Sequence, residues 1–146
     1  MKFKGHFKGM LYNPKTGEIT CWEKDNKVVQ AGFDFVCALL TDPVSRPAPI
    51  SYIAFGTGLS ATTDEMTALE NEVYRGAITT SWDAENRIIT VNGEIPVGSS
   101  VSANISEVGL FNAATGGVMF DRAIFSPKGM DPELAFKYTF TITITS

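Results

Sequence analysis

The sequence predicts an all-β domain: an antiparallel β-sandwich or jelly roll with one short helix near residues 31–41. Three observations carry this. Apolar and polar residues alternate with period two through most of the 146 residues. Turn residues recur between the alternating runs at regular spacing. Only one segment has helical spacing, with Phe33, Val36, Cys37 and Leu40 at i, i+3, i+4 and i+7.

Each element follows from its own residues. "KFKGHFKGMLY" sets Phe3 and Phe7 on one face and Lys2, Lys4, His6 and Lys8 on the other. "NPKTGE" is turn chemistry, and "ITCWEK" returns to complete a hairpin that "DN" at 25 and 26 ends. The helix follows, its apolar stripe expected to pack on a sheet, and prolines 43, 47 and 49 stop it. "ISYIAFGTG" is a strand running into a glycine turn, and "LSATTDEMTALENE" is a loop. "VYRGAITTSW" and "RIITVNGEIPV" are strands joined by "DAEN". "SVSANISEVGLFN" and "VMFDRAIFS" form a hairpin across "AATGG", with Gly116 or Gly117 at positive φ. "PKGMDPEL" reads as a loop. In the last strand Phe136, Tyr138, Phe140, Ile142 and Ile144 share one face, which places it centrally. The count is eight strands and one helix in a single domain, 1–146.

Composition narrows the function. With 44% hydrophobic and 19% charged residues the chain is globular and long enough to bury a core without staples. A net charge of −4 disfavours phosphate backbones, so no nucleic-acid partner is expected. The N-terminus lacks the apolar core of a signal peptide, and "FVCALL" is far short of a membrane helix, so no membrane association is expected. Cys21 and Cys37 read as two buried free thiols in a reducing cytosol, a disulfide being the minor reading. With a single His they cannot assemble a structural zinc site without several carboxylates, and no metal or cofactor is expected.

No catalytic constellation stands out. "GTGLSATT" lacks the third glycine of a dinucleotide fingerprint and the Gly-Lys-Ser/Thr of a nucleotide loop. His6 lies on the Lys-bearing face of its strand and reads as solvated, and no nucleophile elbow exists. Glu70, Glu72, Glu94, Glu107 and Asp121 are available as paired acids but read as solvated charges, Glu107 and Asp121 keeping a strand edge soluble. The chain therefore reads as a non-enzyme, a carbohydrate-active β-sandwich enzyme or binding module being the remote alternative.

"YIAFGTG", "TALENEVYR" and "ISEVGLFNAATGGVMFDRAIFSP", with the final Thr/Ile strand, resemble small structural proteins of tailed bacteriophages. The resemblance covers roughly residues 50–146, and "EVGLFNA" is its most specific piece. It implies a virion building block made in the host bacterial cytoplasm, with no catalytic residues. A chain without repeats or coiled coil is similar to capsid decoration (cement) proteins that clamp neighbouring capsid subunits. A tail-fibre, baseplate or neck component is the alternative. The implied partners are other virion proteins, the major capsid protein first, with homo-oligomeric contacts within the particle. Contact candidates are a 1–12 arm with Phe3, Phe7, Lys4 and Lys8, and the proline-rich segment with Val44, Arg46 and Pro47.

Overall fold

The computed structural model describes residues 2–146 and is dominated by antiparallel strands. In chain order the elements are β1 (Lys2–Tyr12), β2 (Ile19–Val28), α1 (Gln30–Thr41), β3 (Tyr52–Gly56), β4 (Glu72–Ala77), β5 (Thr79–Asp83), β6 (Ile88–Ile95), β7 (Ala103–Phe111), β8 (Met119–Met130) and β9 (Ala135–Thr145). The all-β class and the single short helix agree with the alternation in the sequence.

The nine strands run in the order β4-β3-β7-β8-β2-β1-β9-β6-β5. Two strand segments turn the corners between the halves of this sheet. Residues 19–26 of β2 pair with β1, whereas Lys27 and Val28 pair with β8. Only Ile78 separates β4, paired with β3, from β5, paired with β6. The sheet thus folds over and nearly closes, as sandwiches do when strands switch halves at their corners.

Phe7, fully buried, stands at the centre of the core. Its ring lies 5.7 Å from Phe125, 6.0 Å from Phe55, 6.3 Å from Phe140 and 6.4 Å from both Trp22 and Phe136. Trp22 stacks on Phe136 at 5.5 Å. A glycine makes room for this: a Cβ at Gly9 would meet the Trp22 ring at 2.7 Å. β9 is central, between β1 and β6, with Phe136, Tyr138, Phe140 and Ile142 buried.

Several sequence readings need correction. β1 is no free arm, because it is hydrogen-bonded along its length to β9 and through Gly5–Tyr12 to β2. "DN" does not end β2: Asp25 and Asn26 remain paired with His6 and Gly5. The "PKG" of the expected loop lies in β8, which runs on to Met130 and pairs Lys128 with Ile105. The strand expected at "VYRGAITTSW" bends at Ile78 into β4 and β5, which gives nine strands in place of eight.

The helix turns a different face to the sheet. Gly32 and Phe35 are buried and Val36 and Leu39 partly so, again i, i+3, i+4 and i+7 but one residue back from the expected stripe. Phe35 meets Phe120 of β8 at 6.4 Å. Gly32 decides the face, since a Cβ there would run into the Phe120 carbonyl oxygen. Cys37 and Leu40 therefore face outward, and Phe33 sits at the margin, partly exposed and edge-on to Phe3.

Candidate functional site

The glycine-rich hairpin β7–β8 brings its two acids into the interior, and neither is a solvated edge charge. β7 lies between β3 and β8, so its residues meet neighbours on both sides, and Glu107 is completely buried. It reaches the face of the sheet covered by residues 57–71. There Glu107 Oε1 accepts from the backbone N–H of Gly58 (3.0 Å) and Asn71 (2.9 Å). Oε2 accepts from the Glu70 N–H at 3.0 Å and from Arg122 Nε at 2.9 Å.

Arg122, equally buried, spends its remaining donors on the same loop. Nη1 donates to the Ser60 carbonyl (2.8 Å) and to Thr62 Oγ1 (3.1 Å), and Nη2 reaches Glu70 Oε1 at 3.3 Å. Glu70 in turn accepts from the Ser60 N–H at 2.7 Å and from its hydroxyl at 2.8 Å. The Ser60 N–H, then its hydroxyl, with Arg122 adding its charge, hold the Glu70 carboxyl below the usual carboxylate range. Ser106 Oγ closes the cluster by donating to the Gly58 carbonyl at 2.7 Å.

These contacts explain "FGTG". A Cβ at Gly58 would lie 2.7 Å from Glu107 Oε1, and one at Gly56 would collide with the same oxygen. The glycines cradle a carboxylate of their own chain. The cluster is a clasp that pins a long irregular loop over the sheet. It is poorly suited to chemistry, because both Glu107 oxygens already hold two donors each.

A second clasp holds the hairpin tip. Arg75 Nη1 donates to the carbonyls of Ala113 (3.0 Å) and Gly116 (2.7 Å), and its guanidinium lies 3.8 Å over the Phe111 ring. Gly116 and Gly117 both have positive φ, at 58° and 74°. Asn112 Oδ1 accepts the Val118 N–H at 2.7 Å across the turn.

Asp121 is the unexplained acid. It is fully buried, and among the described residues neither carboxyl oxygen has a hydrogen-bond partner. The amide of Asn26 is also unpartnered. Both approach Gly5, where a Cβ would meet Asn26 Cβ at 3.0 Å and Asp121 Oδ2 at 3.1 Å. Burial pushes the Asp121 carboxyl well above its ordinary value.

His6 lies half-exposed on the outer face of β1, with Nδ1 2.7 Å from Asp25 Oδ1 and Nε2 3.6 Å from Glu23 Oε2. The His6 hydrogen bond holds the Asp25 carboxyl low. An open groove of about 870 Å³ crosses this face, lined among others by Lys8, Glu23, Asn92, Glu94, Lys137 and Thr139. Among the described residues, no group of three His, Cys, Asp or Glu is placed to hold a metal ion, and no helix is long and apolar enough to cross a membrane.

The contact candidates divide. Lys4, Lys8, Val44 and Arg46 are exposed, and Phe3 and Pro47 are half-buried. Phe3 is occupied within the chain, 6.3 Å from Phe33 and 6.1 Å from Phe120. Phe7 cannot anchor a partner, because it has no exposed surface. Cys21 and Cys37 are free, as expected, but exposed and not buried. The residues that sequence reasoning missed are Phe33 and Leu40, exposed on the helix by 43% and 73%. The glycine at 32 was the available signal, since the closest helix packing falls where a side chain is smallest.

No family model, curated protein or solved structure matches the chain.

Proposed function

We propose that the chain is a structural component of a bacteriophage particle, a decoration protein that sits on the head and clamps neighbouring copies of the major capsid protein. The observation that carries this reading is the outward apolar surface of α1 and the segment after it. Cys37 and Leu40 are exposed on the outer side of the helix, Phe33 keeps 43% of its surface exposed beside Phe3, and Val44, just beyond the helix, is 90% exposed. Apolar side chains presented together on a rigid domain mark a contact surface.

The rest of the molecule suits that role. A folded-over antiparallel sheet with a pinned loop gives a stiff body. Binding that occurs only on the assembled shell stabilises the shell by mass action and needs no reacting groups. The likeness of "EVGLFNA" and its flanking segments to phage structural proteins supports the same reading.

The test is a Leu40→Asp/Val44→Asp chain assembled into particles. Both positions are exposed, so the domain should fold as before. The reading expects a lower copy number per major capsid protein in purified particles, and rupture of those particles at a lower temperature. Unchanged occupancy contradicts it. Robust particles that fail to adsorb to cells would assign the chain to the tail.

A further inference from the structure

The outer edge of β5, the last strand of the sheet, has no partner strand among the described residues. All five residues, Thr79–Asp83, are exposed, and among the described residues the strand pairs only with β6. Its register with β6 is unbroken from Thr79↔Asn92 to Asp83↔Ile88, so no bulge twists the edge away. It contains no lysine and no proline. Natural edges are normally blunted by those devices. Residues 19–26 of β2, which among the described residues pair only with β1 before the strand turns to β8, follow that rule and carry exposed Glu23, Lys24 and Asp25. The one charge on β5, Asp83, is engaged in its own turn. It accepts from the N–H groups of Glu85 (3.0 Å) and Asn86 (3.2 Å) and from Asn86 Nδ2 (2.7 Å). Trp82 is 75% exposed on this short strand.

We propose that β5 pairs antiparallel with β5 of a second copy of this chain about a two-fold axis at Ser81, joining two sheets into one. The sequence of the edge favours its own copy. In that register Ser81 faces Ser81, Thr80 faces Trp82 and Thr79 faces Asp83 of the other chain. No like charges oppose, and an aromatic residue meets a β-branched one on each side of the axis. The two Trp82 rings become diagonal neighbours, about 7–8 Å apart at their Cα atoms and within reach of each other. A five-residue pairing is smaller than the roughly 1,200–2,000 Å² of a stable interface, so the association is reversible in free solution. Copies held side by side on a larger assembly would pair at a much higher effective concentration. This inference stands apart from the function proposed above, because it needs only the edge.

The experiment uses the full chain in a Cys21→Ser/Cys37→Ser background, with Ser81→Cys or Thr79→Cys added singly. Directly opposed residues in an antiparallel pair have Cα atoms about 4.5–5.5 Å apart, inside the range a disulfide spans. Mild oxidation should convert Ser81→Cys to a covalent dimer in a yield that rises with protein concentration. Thr79→Cys, opposite Asp83, should cross-link at least tenfold less. In parallel, sedimentation of the native chain should show a concentration-dependent dimer, with Trp82 emission shifting to the blue. Ser81→Lys, which sets two lysines face to face, should abolish it. A native chain that stays monomeric to its solubility limit, equal cross-linking at both positions, or a dimer indifferent to Ser81→Lys would each overturn the proposal.

Discussion

Arg122 and Glu107 meet at 2.9 Å with both side chains completely enclosed, and that pair fastens residues 57–71 to the sheet. A buried ion pair is a weak source of net stability, but removing one partner strands the other charge. Glu107→Gln should therefore cost about 3–5 kcal/mol in urea unfolding. Amide hydrogen exchange should rise first at Gly58, Glu70 and Asn71, whose N–H groups the carboxylate accepts.

Asp121 predicts the opposite sign. Its carboxyl titrates well above the usual range in the folded chain, because burial disfavours the charge. Folding therefore favours the protonated form. The stability this gives is present below the unfolded value of 3.8 and is lost as pH rises through the folded value. Asp121→Asn should match the native chain in mild acid and exceed it in stability at neutral pH. Asp25, Asp42, Glu70 and Asp83 titrate low and lose stability on the acid side instead. The difference between native and variant profiles isolates Asp121, and denaturant titrations across the pH range supply it.

Gly32 sets helix against sheet. Ala is normally better than Gly inside a helix by about 1 kcal/mol. Here the new methyl would strike the backbone of Phe120, which cannot swing aside as a side chain would. Gly32→Ala should destabilise by about 1–3 kcal/mol, in the range of overpacking, despite its better propensity. A thermal melt with a higher midpoint than the native chain would contradict this packing.

The two turn glycines are not equivalent. Both have positive φ, but a Cβ at Gly116 meets open space, whereas one at Gly117 meets Ala113 Cβ and Asn112 Oδ1 at 2.7 Å. Gly116→Val should cost about 1–2 kcal/mol, the left-handed penalty for a side chain. Gly117→Val should cost measurably more in the same denaturant series.

How far the sequence could be read follows from which interactions are local. Alternation along a strand is written in neighbouring residues, so the central place of β9 and the β7–β8 hairpin were legible. The helix was legible in extent but not in orientation, because its residues are apolar nearly all round from Ala31 to Leu40 and Gly32 outweighs the Phe33 stripe. The burial of Glu107 was not legible. Its partners Gly58, Glu70 and Arg122 lie 49, 37 and 15 residues away, and only the fold brings them together. Phe3 and Phe7 looked like anchors for the same reason that they serve inside: an alternating strand does not say whether its apolar face meets its own core or another protein.

The proposed decoration role is tested most directly by searching for this chain's density in an image reconstruction of a purified phage particle. The account predicts density on the outside of the head, with Phe33, Leu40 and Val44 turned toward the capsid subunits and the chain bridging neighbouring copies. Density confined to the tail, or a particle that lacks the chain, would contradict it.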